Sequence, residues 1–408
     1  MSIICGTDLS AASNDALEVA RELAAQRGDR DVVLVHVVED EADVPRARAA
    51  LEAQVEKAGA GPAIRAEVVV GPADDTLVSF ADTEGSDLIV IAASSQPGSL
   101  LRIGSTAEAV IVKTRVPVLV LRDPQPWLHF SRGDRPLRVL VGVDDSVSCE
   151  LCIQWTLAAR KQGPVDVVLG AIYYPDEAAH YYGMHARSLV DRDPDIERLL
   201  ARDLVRRFGG PADEAIARPR RGLGRIGDHL VELAREEEVD AIVVGTSQKT
   251  GLGRLGSVST VIVHDAPQSV VCVPPNAQIP TLRVPVVQCA LVATDLSAFG
   301  NRAVPFAFGL TPEGGEVHIA HVVKDHDAED AELLKSLFAL APVGMKRDIH
   351  AHVIRGDDPA TAIAQYAARV GADVICLASH GRSGISRALV GSVADKLLRA
   401  TRKPVLVL

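Results

Sequence analysis

The sequence repeats one unit three times along its 408 residues, and this repeat limits the available folds more than any single motif does. Each copy opens with an apolar run, continues with Asp-x-Ser and then enters a helix-like stretch. The openings read "IICGTDLS", "VLVGVDDS" and "ALVATDLS". The chain is therefore expected to fold as three similar domains. The aspartates of the three openings are Asp8, Asp144 and Asp295.

Further segments keep the same order in every copy. The second strand reads "VVLVHVVED", "DVVLGAIYYP" and "VHIAHVVKD", and a short last strand follows Pro117, Pro267 or Pro404. Strands that alternate with helical stretches predict a parallel sheet covered on both faces. We therefore predict three tandem flavodoxin-like or Rossmann-like doubly wound domains, each with a five-stranded parallel sheet and helices on both faces. The expected strand order is 2-1-3-4-5, with the fifth strand at an edge.

The copies are separated by two segments rich in proline and polar residues. The predicted domains span residues 1–122, 137–274 and 288–408. The segments between them, "RDPQPWLHFSRGDRP" and "PPNAQIPTLRVP", are typical of extended connectors.

Composition narrows the classes of partner. Hydrophobic residues make up 47% of the chain and aromatic residues only 3%, so the cores are expected to consist of Val, Ile, Leu and Ala. A formal net charge of −11 argues against nucleic-acid or anionic-membrane binding. The six cysteines lack the spacing of a secreted disulfide framework, and no apolar run approaches the length of a membrane span. A cytoplasmic location without nucleic-acid or membrane partners is predicted.

Two stretches match the dinucleotide-binding pattern G-x-G-x-x-G, namely "GLGRIG" at 222–227 and "GLGRLG" at 251–256. The first stretch aligns with Gly71 of the first copy, in the turn after the third strand, whereas the fingerprint belongs after the first strand. Asp240 also precedes a strand, whereas a ribose-binding acid lies at the carboxyl end of one. The first match is therefore interpreted as coincidence, and the second overlaps a helix start.

The third copy carries a loop that suits a phosphate. Its fourth strand runs into "ASHGRSGISRALVGSVADKLL", in which Gly381 permits a sharp turn. Nine residues separate Gly381 from Gly391 and Ser392, which open a helix. Free N–H groups and the helix dipole make such an opening an anion site. The Ser392 hydroxyl could add a hydrogen bond, and Arg382 and Arg387 could supply positive charge.

This arrangement resembles the universal stress protein family, whose nucleotide-binding members carry G-x2-G-x9-G-[S/T] after the fourth strand. Only the first glycine is replaced here, by Ala378. The family also has an aspartate after the first strand and a valine at the end of the second, near the adenine, and Asp295 and Val322 match those positions. The resemblance implies a nucleotide site formed by Asp295, Val322, Ala378, His380, Gly381, Arg382, Gly391, Ser392 and Val393.

The resemblance also implies a function and an assembly. It implies a stress-response module that binds ATP or ADP, with Mg²⁺ as an optional companion of ATP, and with slow hydrolysis at most. It further implies that the fifth strands of two domains pair antiparallel. Because three fifth strands are an odd number, two can pair within the chain and the third is expected to pair with a second chain. A homodimer is therefore predicted, with 405–408 as its free edge.

The first two copies depart from the family pattern. Glutamine replaces the turn glycine in both, and only seven residues separate it from the following Gly-Ser. A shorter loop without its glycine reshapes the phosphate cradle, so nucleotide binding by these copies is a weaker prediction. The weaker candidate residues are Asp8, Gly104, Ser105, Asp144, Gly245, Gly256 and Ser257.

Structural roles compete with several of these interpretations. The serine of each Gly-Ser pair suits a helix cap, an interpretation favoured in the first two copies. The strand-end residues His36 and His321 are interpreted as packing residues. His380 has no neighbouring metal ligand in the sequence, so no metal site is predicted. The motif Cys149-x-x-Cys152 falls within a helix, and two buried helix residues are favoured over a redox pair.

Two other functions compete with nucleotide binding. The degenerate loops of the first two copies suit a nucleotide-free scaffold or adaptor that binds protein partners. An adenylyl-transfer or hydrolytic enzyme on a related fold is disfavoured, because the chain has no H-x-G-H, S-G-G-x-D-S, G-x-S-x-G or Walker motif. No catalytic residue is predicted.

Overall fold

The computed structural model of the chain describes residues 2–29, 31–58, 62–93, 103–186, 188, 191–209, 215–247, 258–279, 286–324, 330–378 and 391–408. These residues form two compact units, Met1–Ile172 with Leu204–Arg283, and Tyr173–Asp203 with Val284–Leu408. The first unit combines the first copy with most of the second. The second unit combines the third copy with a segment from the second.

The first copy alternates strands with helices, as its sequence pattern predicts. Its strands are β1 (Ile3–Gly6), β2 (Asp31–Val38), β3 (Ala63–Val70), β4 (Leu88–Ala92) and β5 (Val118–Leu121). Its helices are α1 (Ala11–Arg27), α2 (Val44–Lys57), α3 (Ala73–Glu84) and α4 (Ser105–Lys113).

The second copy follows the same plan with one additional helix between its second and third strands. Helix α5 (Gln125–Arg132) precedes it. Its strands are β6 (Leu137–Gly142), β7 (Val165–Tyr173), β8 (Ala215–Arg221), β9 (Ala241–Gly245) and β10 (Ser269–Val273). Its helices are α6 (Val147–Arg160), α7 (Pro175–Tyr181), α8 (Pro194–Phe208), α9 (Ile226–Glu236) and α10 (Val258–Asp265).

The third copy repeats the plan again. Its strands are β11 (Cys289–Ala293), β12 (Glu316–Val323), β13 (Asp348–Arg355), β14 (Val374–Leu377) and β15 (Val405–Val407). Its helices are α11 (Ala303–Leu310), α12 (Asp330–Phe338), α13 (Pro359–Val370) and α14 (Ser392–Ala400).

The predicted fold class is confirmed, but the strand order differs from the prediction. The second unit has the order β13-β12-β11-β14-β15, which is 3-2-1-4-5 rather than 2-1-3-4-5. The third strands lie at sheet edges, where their residues are less buried than those of the central strands: β3 has no fully buried residue, and β8 contains Pro219, which lacks the N–H that a central strand must donate. In every copy, the first strand lies between the second and the fourth.

The fifth strands of the first two copies pair with each other. Strands β5 and β10 are antiparallel, with Val120 opposite Val270 and Val118 opposite Cys272. This pairing joins two five-stranded sheets into one of ten strands, so the sheet is larger than predicted. Strand β15 lies at the edge of its own sheet and has β14 as its one neighbour among the described strands.

Apolar side chains cover both faces of each sheet. Along β11, Leu291 contributes to the cluster under α13 and α14, whereas Val292 contributes to the cluster under α11 and α12. Successive strand residues point to opposite faces, so a strand that is apolar at every position is buried on both sides. This pattern explains how a chain with few aromatic residues forms cores of Val, Ile, Leu and Ala.

The connector between the first two copies is helical, and the prediction of an extended segment is wrong. In α5, Pro126 occupies the first turn, where its missing N–H costs no hydrogen bond. Gly133 ends the helix with a φ of 74°, a left-handed conformation that favours glycine. Trp127, Leu128 and Phe130 are buried, and this amphipathic spacing stabilises a helix despite Pro126.

The segment Tyr173–Asp203 packs on the third copy within the second unit. Arg202 donates hydrogen bonds to the carbonyl oxygens of Ala368 and Arg369, at the C-terminus of α13. Gln365 also donates a hydrogen bond to the carbonyl oxygen of His180. A guanidinium at a helix C-terminus satisfies carbonyls that have no partner in the helix.

No helix of the described residues combines the length and apolar character needed to cross a bilayer.

Candidate functional site

A cavity of about 300 Å³ lies at the carboxyl ends of β11, β12 and β14. Strands β11 and β14 are neighbours, yet the helices that follow them cover opposite faces of the sheet. Such a switch point is where open α/β sheets bind ligands. The described residues that line the cavity are Ala293, Thr294, Asp295, Gly300, Ala320, His321, Val322, Pro359, Ile363, Leu377, Ala378, Gly391, Ser392, Val393 and Ala394.

The turn after β11 holds Asp295 in a defined orientation. The backbone N–H and the hydroxyl of Ser297 both donate to Asp295 Oδ1, at 3.0 and 2.6 Å. Leu296 has a φ of 62°, which a residue with a side chain seldom adopts, and its N–H donates to Thr294 Oγ1 at 3.0 Å. Backbone strain of this kind is concentrated at ligand sites.

Gly300 lines the cavity directly beside this carboxylate, although no motif in the sequence points to it. A Cβ atom at Gly300 would lie 2.2 Å from Asp295 Oδ1, so only glycine fits unless the carboxylate moves. Gly300 begins a short 3-10 turn that precedes α11. The signal in the sequence was the glycine five residues after Asp295, which the second copy replaces with Cys149.

His321 stabilises the same turn by a hydrogen bond. Its Nδ1–H donates to the carbonyl oxygen of Thr294 at 2.7 Å, and its ring lines the cavity. In the first copy, His36 makes the matching bond to the Thr7 carbonyl at 2.8 Å. Their place at strand ends predicts packing residues, whereas the structure gives both histidines a specific hydrogen bond. The second copy has Ala171 at this position and lacks the bond.

The N-terminus of α14 borders the opposite side of the cavity. Gly391 is the N-cap residue, with an extended backbone and no side-chain capping bond among the described residues. Ser392 is the first helical residue and is exposed, so the serine does not act as the cap. The N–H groups of the first turn are the ones a helix leaves unsatisfied, and with the helix dipole they suit an anion.

The first copy shows the same arrangement at α4. Gly104 is the N-cap residue of the helix that begins at Ser105, and no side-chain capping bond is present among the described atoms there. The interpretation of Ser105 as a cap is therefore wrong. The reason is geometric: the glycine holds the extended cap conformation, which places the serine one residue inside the helix.

The structure brings most of the strongest candidate residues together. Asp295, Val322, Ala378, Gly391, Ser392 and Val393 all line the cavity. The candidates that lie outside the described residues are His380, Gly381, Arg382, Gly256 and Ser257.

The remaining weaker candidates have local structural roles. Asp8 and Asp144 accept hydrogen bonds from the backbone N–H groups of Ser10 and Ser146, at 3.1 and 2.9 Å, as Asp295 does from Ser297. Gly245 ends β9 against the first turn of α6, where a Cβ atom would lie 2.4 Å from the Cβ of Ser148. The glycine is needed there for close packing of helix on strand.

The Cys-x-x-Cys motif lies within α6 and is buried. Burial raises the pKa of Cys149 to about 11 and raises that of Cys152 as well, so both stay protonated at neutral pH. Because the thiolate is the reactive form, these cysteines are suited to packing and not to redox chemistry.

Comparison with known proteins identifies the family. A profile of the "Universal stress protein family" matches residues 1–122, 137–274 and 288–408. Over 104 residues the chain is 36% identical to Universal stress protein MJ0531 of Methanocaldococcus jannaschii, a match that covers 25% of this chain and 57% of that protein. The chain thus spans little more than half the length of this relative.

Solved structures of universal stress proteins are similar to the chain, two of them from Archaeoglobus fulgidus. A universal stress protein from Archaeoglobus fulgidus aligns with a TM-score of 0.50 and 18% identity, over 67% of this chain and 96% of that chain. The universal stress protein from Archaeoglobus fulgidus in complex with dAMP is 29% identical over 29% of this chain and 94% of that chain, with a TM-score of 0.25. With three profile matches across its length, the chain belongs to the universal stress protein family.

Proposed function

We propose that this protein is a stress-response module that binds ATP or ADP in the cavity of its third copy, without fast catalysis. One observation carries the proposal: a single cavity brings Asp295 and Val322 together with the N-terminus of α14 at Gly391 and Ser392. The cavity thus offers a nucleoside-binding wall and an anion-binding wall. Its volume of about 300 Å³ lies within the range of small-molecule sites.

The two walls orient the ligand. The nucleoside would lie against Val322, His321 and Asp295, whose carboxylate suits a hydrogen-bond donor of the nucleoside. The phosphates would lie against the first turn of α14, where free N–H groups donate. Mg²⁺, where ATP carries it, would be held chiefly by phosphate oxygens and water, as is usual for this ion.

The cavity is better suited to binding than to hydrolysis. Its titratable residues, among those described, are Asp295 and His321. Asp295 Oδ1 accepts two bonds from Ser297, and His321 Nδ1 bonds the Thr294 carbonyl. Both side chains therefore shape the turn, and hydrolysis is proposed to be slow at most.

Nucleotide content and a matched pair of variants test the proposal. The full chain, purified and then denatured, is expected to release adenine nucleotide, and calorimetry with ATP is expected to show one site of highest affinity. Gly391→Val places a branched side chain at the α14 opening and is expected to weaken ATP binding at least 10-fold. Gly104→Val makes the same change at α4, where a Cβ meets no atom within 4 Å, and is expected to leave that affinity unchanged.

Three results would contradict the proposal. Equal ATP affinity in Gly391→Val and the unmodified chain would place the site elsewhere. No ATP binding at millimolar concentration would favour the nucleotide-free scaffold. Rapid turnover would indicate an enzyme.

A further inference from the structure

A cluster of potential metal ligands lies at the amino ends of β11 and β12, at the opposite edge of the sheet from the cavity. The ligand atoms of Cys289, Glu316 and His318 lie within 4.8 Å of one another. Cys289 begins β11 and Glu316 begins β12, and the register places these two residues opposite each other. Residues two apart on a strand share a face, so His318 points to the same side as Glu316.

The imidazole of His318 is buried although one of its nitrogens lacks a hydrogen-bond partner among the described residues, which is unusual for a polar group. Only 6% of the residue is exposed, and its Nε2 has no hydrogen-bond partner among the described residues. A carboxylate oxygen of Glu316 lies 3.5 Å from this nitrogen. Leaving a buried polar atom unsatisfied costs about 1–3 kcal/mol. The matching strand positions in the first two copies are Val33 and Val168, which carry no such cost.

The second ring nitrogen of His318 determines how the first can act. His318 Nδ1 lies 3.3 Å from Nε2 of His352, on the neighbouring strand β13. When the Nδ1–H donates to His352, the lone pair of Nε2 points toward Glu316 and Cys289. Metal-binding histidines usually have this arrangement, in which one ring nitrogen binds the ion and the other donates to a neighbour.

From these contacts we infer that Cys289, Glu316 and His318 form a site for a divalent transition-metal cation, with Zn²⁺ as the best match. Sulfur, nitrogen and oxygen ligands are the set that Zn²⁺ accepts, and three protein ligands leave a fourth position for water. A thiolate and a carboxylate neutralise the two charges of the ion, so the bound cluster buries no net charge.

The geometry allows the ion to enter and the site to close. Ligands that bind one Zn²⁺ at about 2.0–2.3 Å stand about 3.5 Å apart in a tetrahedron. Glu316 and His318 Nε2 already have this separation, and all three ligand atoms lie within 4.8 Å, so the site closes with a movement of no more than about an ångström. The side chain of Glu316 is 41% exposed, so it can make this movement and open a path to solvent. Cys289 is held by its backbone N–H, which donates to Asp373 Oδ2 at 2.8 Å.

Metal titration of the full chain without an affinity tag tests the site. After treatment with a chelator, the protein is titrated with Co²⁺ and then Zn²⁺. One equivalent of Co²⁺ is expected to bind with a thiolate-to-cobalt charge-transfer absorption, and Zn²⁺ is expected to displace it. Cys289→Ser is expected to abolish the charge-transfer band. The matched control is Cys376→Ser, a buried cysteine of β14 on the other face of the sheet, which is expected to keep the band.

Two further variants keep the test informative if Cys289→Ser fails to fold. Glu316→Gln changes a half-exposed residue and is expected to weaken Zn²⁺ binding at least 10-fold. His352→Phe removes the neighbour of a metal ligand, a change that typically costs 10- to 100-fold in affinity. The inference is overturned if the unmodified chain binds less than one equivalent, or if Glu316→Gln and His352→Phe bind Zn²⁺ as tightly as Cys376→Ser does.

Discussion

The second and third copies share the Asp-x-Ser turn but differ in where the next helix begins. In the second copy, α6 begins at Val147, directly after the turn, and its first turn packs against Gly245. In the third copy, a 3-10 turn intervenes and α11 begins only at Ala303. The later start leaves space at the carboxyl ends of the strands. From this comparison we propose that the position of the helix, and not the aspartate motif, opens the cavity of the third copy.

Proline explains the later helix start in the third copy. Pro305 lies in the first turn of α11, where a missing N–H is tolerated. A helix that began next to Ser297 would place Pro305 in its interior, at a cost of about 3 kcal/mol. The matching residue of the second copy is Gln154, which fits the interior of α6. A single residue thus shifts the helix start and changes what the shared turn can do.

The second and third copies also differ at their fifth strands. A substitution in the fifth strand of the third copy has the largest expected effect, which is on dimerisation. Strand β10 is paired with β5, whereas β15 has a free edge among the described strands. We propose that β15 pairs with its equivalent in a second chain. Leu406→Lys places a charge in that edge and is expected to weaken dimerisation at least 100-fold, or about 3 kcal/mol.

Light scattering and sedimentation measure this effect. Leu398→Lys changes a leucine of α14 that is already 50% exposed and is the matched control, expected to remain dimeric. A monomeric unmodified chain at micromolar concentration would contradict the proposed dimer. A dimer that survives Leu406→Lys would place the contact elsewhere.

Adding one methyl group beside Asp295 is the next largest change. Gly300→Ala places a Cβ 2.2 Å from Asp295 Oδ1 and forces the carboxylate or the backbone to move. Such overpacking costs about 1–3 kcal/mol, so ATP affinity is expected to fall about 10- to 100-fold. Gly309→Ala, in the following helix α11, meets no atom within 4 Å and is expected to leave the affinity unchanged. Equal calorimetric affinities in the two variants would remove Asp295 from the site.

Replacing Asp295 with asparagine tests whether the carboxylate binds the nucleotide or only stabilises the turn. Asp295→Asn keeps an oxygen that can accept from Ser297 but removes the charge. If Asp295 accepts a hydrogen bond from the nucleoside, ATP affinity is expected to fall about 10-fold and the preference for ATP over GTP to narrow. Asp144→Asn in the second copy is the control. Unchanged affinities for both nucleotides would leave Asp295 with a turn role only.

Replacing His321 with alanine makes the third copy resemble the second at this position. This change has the smallest expected effect on ATP affinity. His321→Ala introduces the residue type found at Ala171 and removes the 2.7 Å bond to the Thr294 carbonyl. The loss of one hydrogen bond is expected to cost about 1 kcal/mol, which is about 5-fold in ATP affinity. His36→Ala is the matched control, because it removes the corresponding 2.8 Å bond in the first copy. A larger loss in His36→Ala would assign the dominant site to the first copy.

Local sequence signals predicted the turn and the helix start that border the cavity, because backbone rules apply there. The turn that Asp295 forms with Ser297 recurs at the equivalent aspartate and serine of the other two copies. A Gly-Ser pair begins a helix at Ser105 and at Ser392. The position of Gly300 was not predicted, because its contact with Asp295 depends on the path of the 3-10 turn. Strand β8 could have been placed at an edge from its arginines and Pro219, a signal that the repeat pattern concealed.

The sequence by itself determined the three copies, the alternation of strands and helices, and the two-sided burial of the sheets, because each follows from periodicity within a short segment. Tertiary structure alone decided that β5 pairs with β10, because the three fifth strands are similarly apolar and no local signal distinguishes them. It also decided that Cys289, Glu316 and His318 meet. Their proximity depends on the register of two strands far apart in the chain, which packing of the whole sheet establishes.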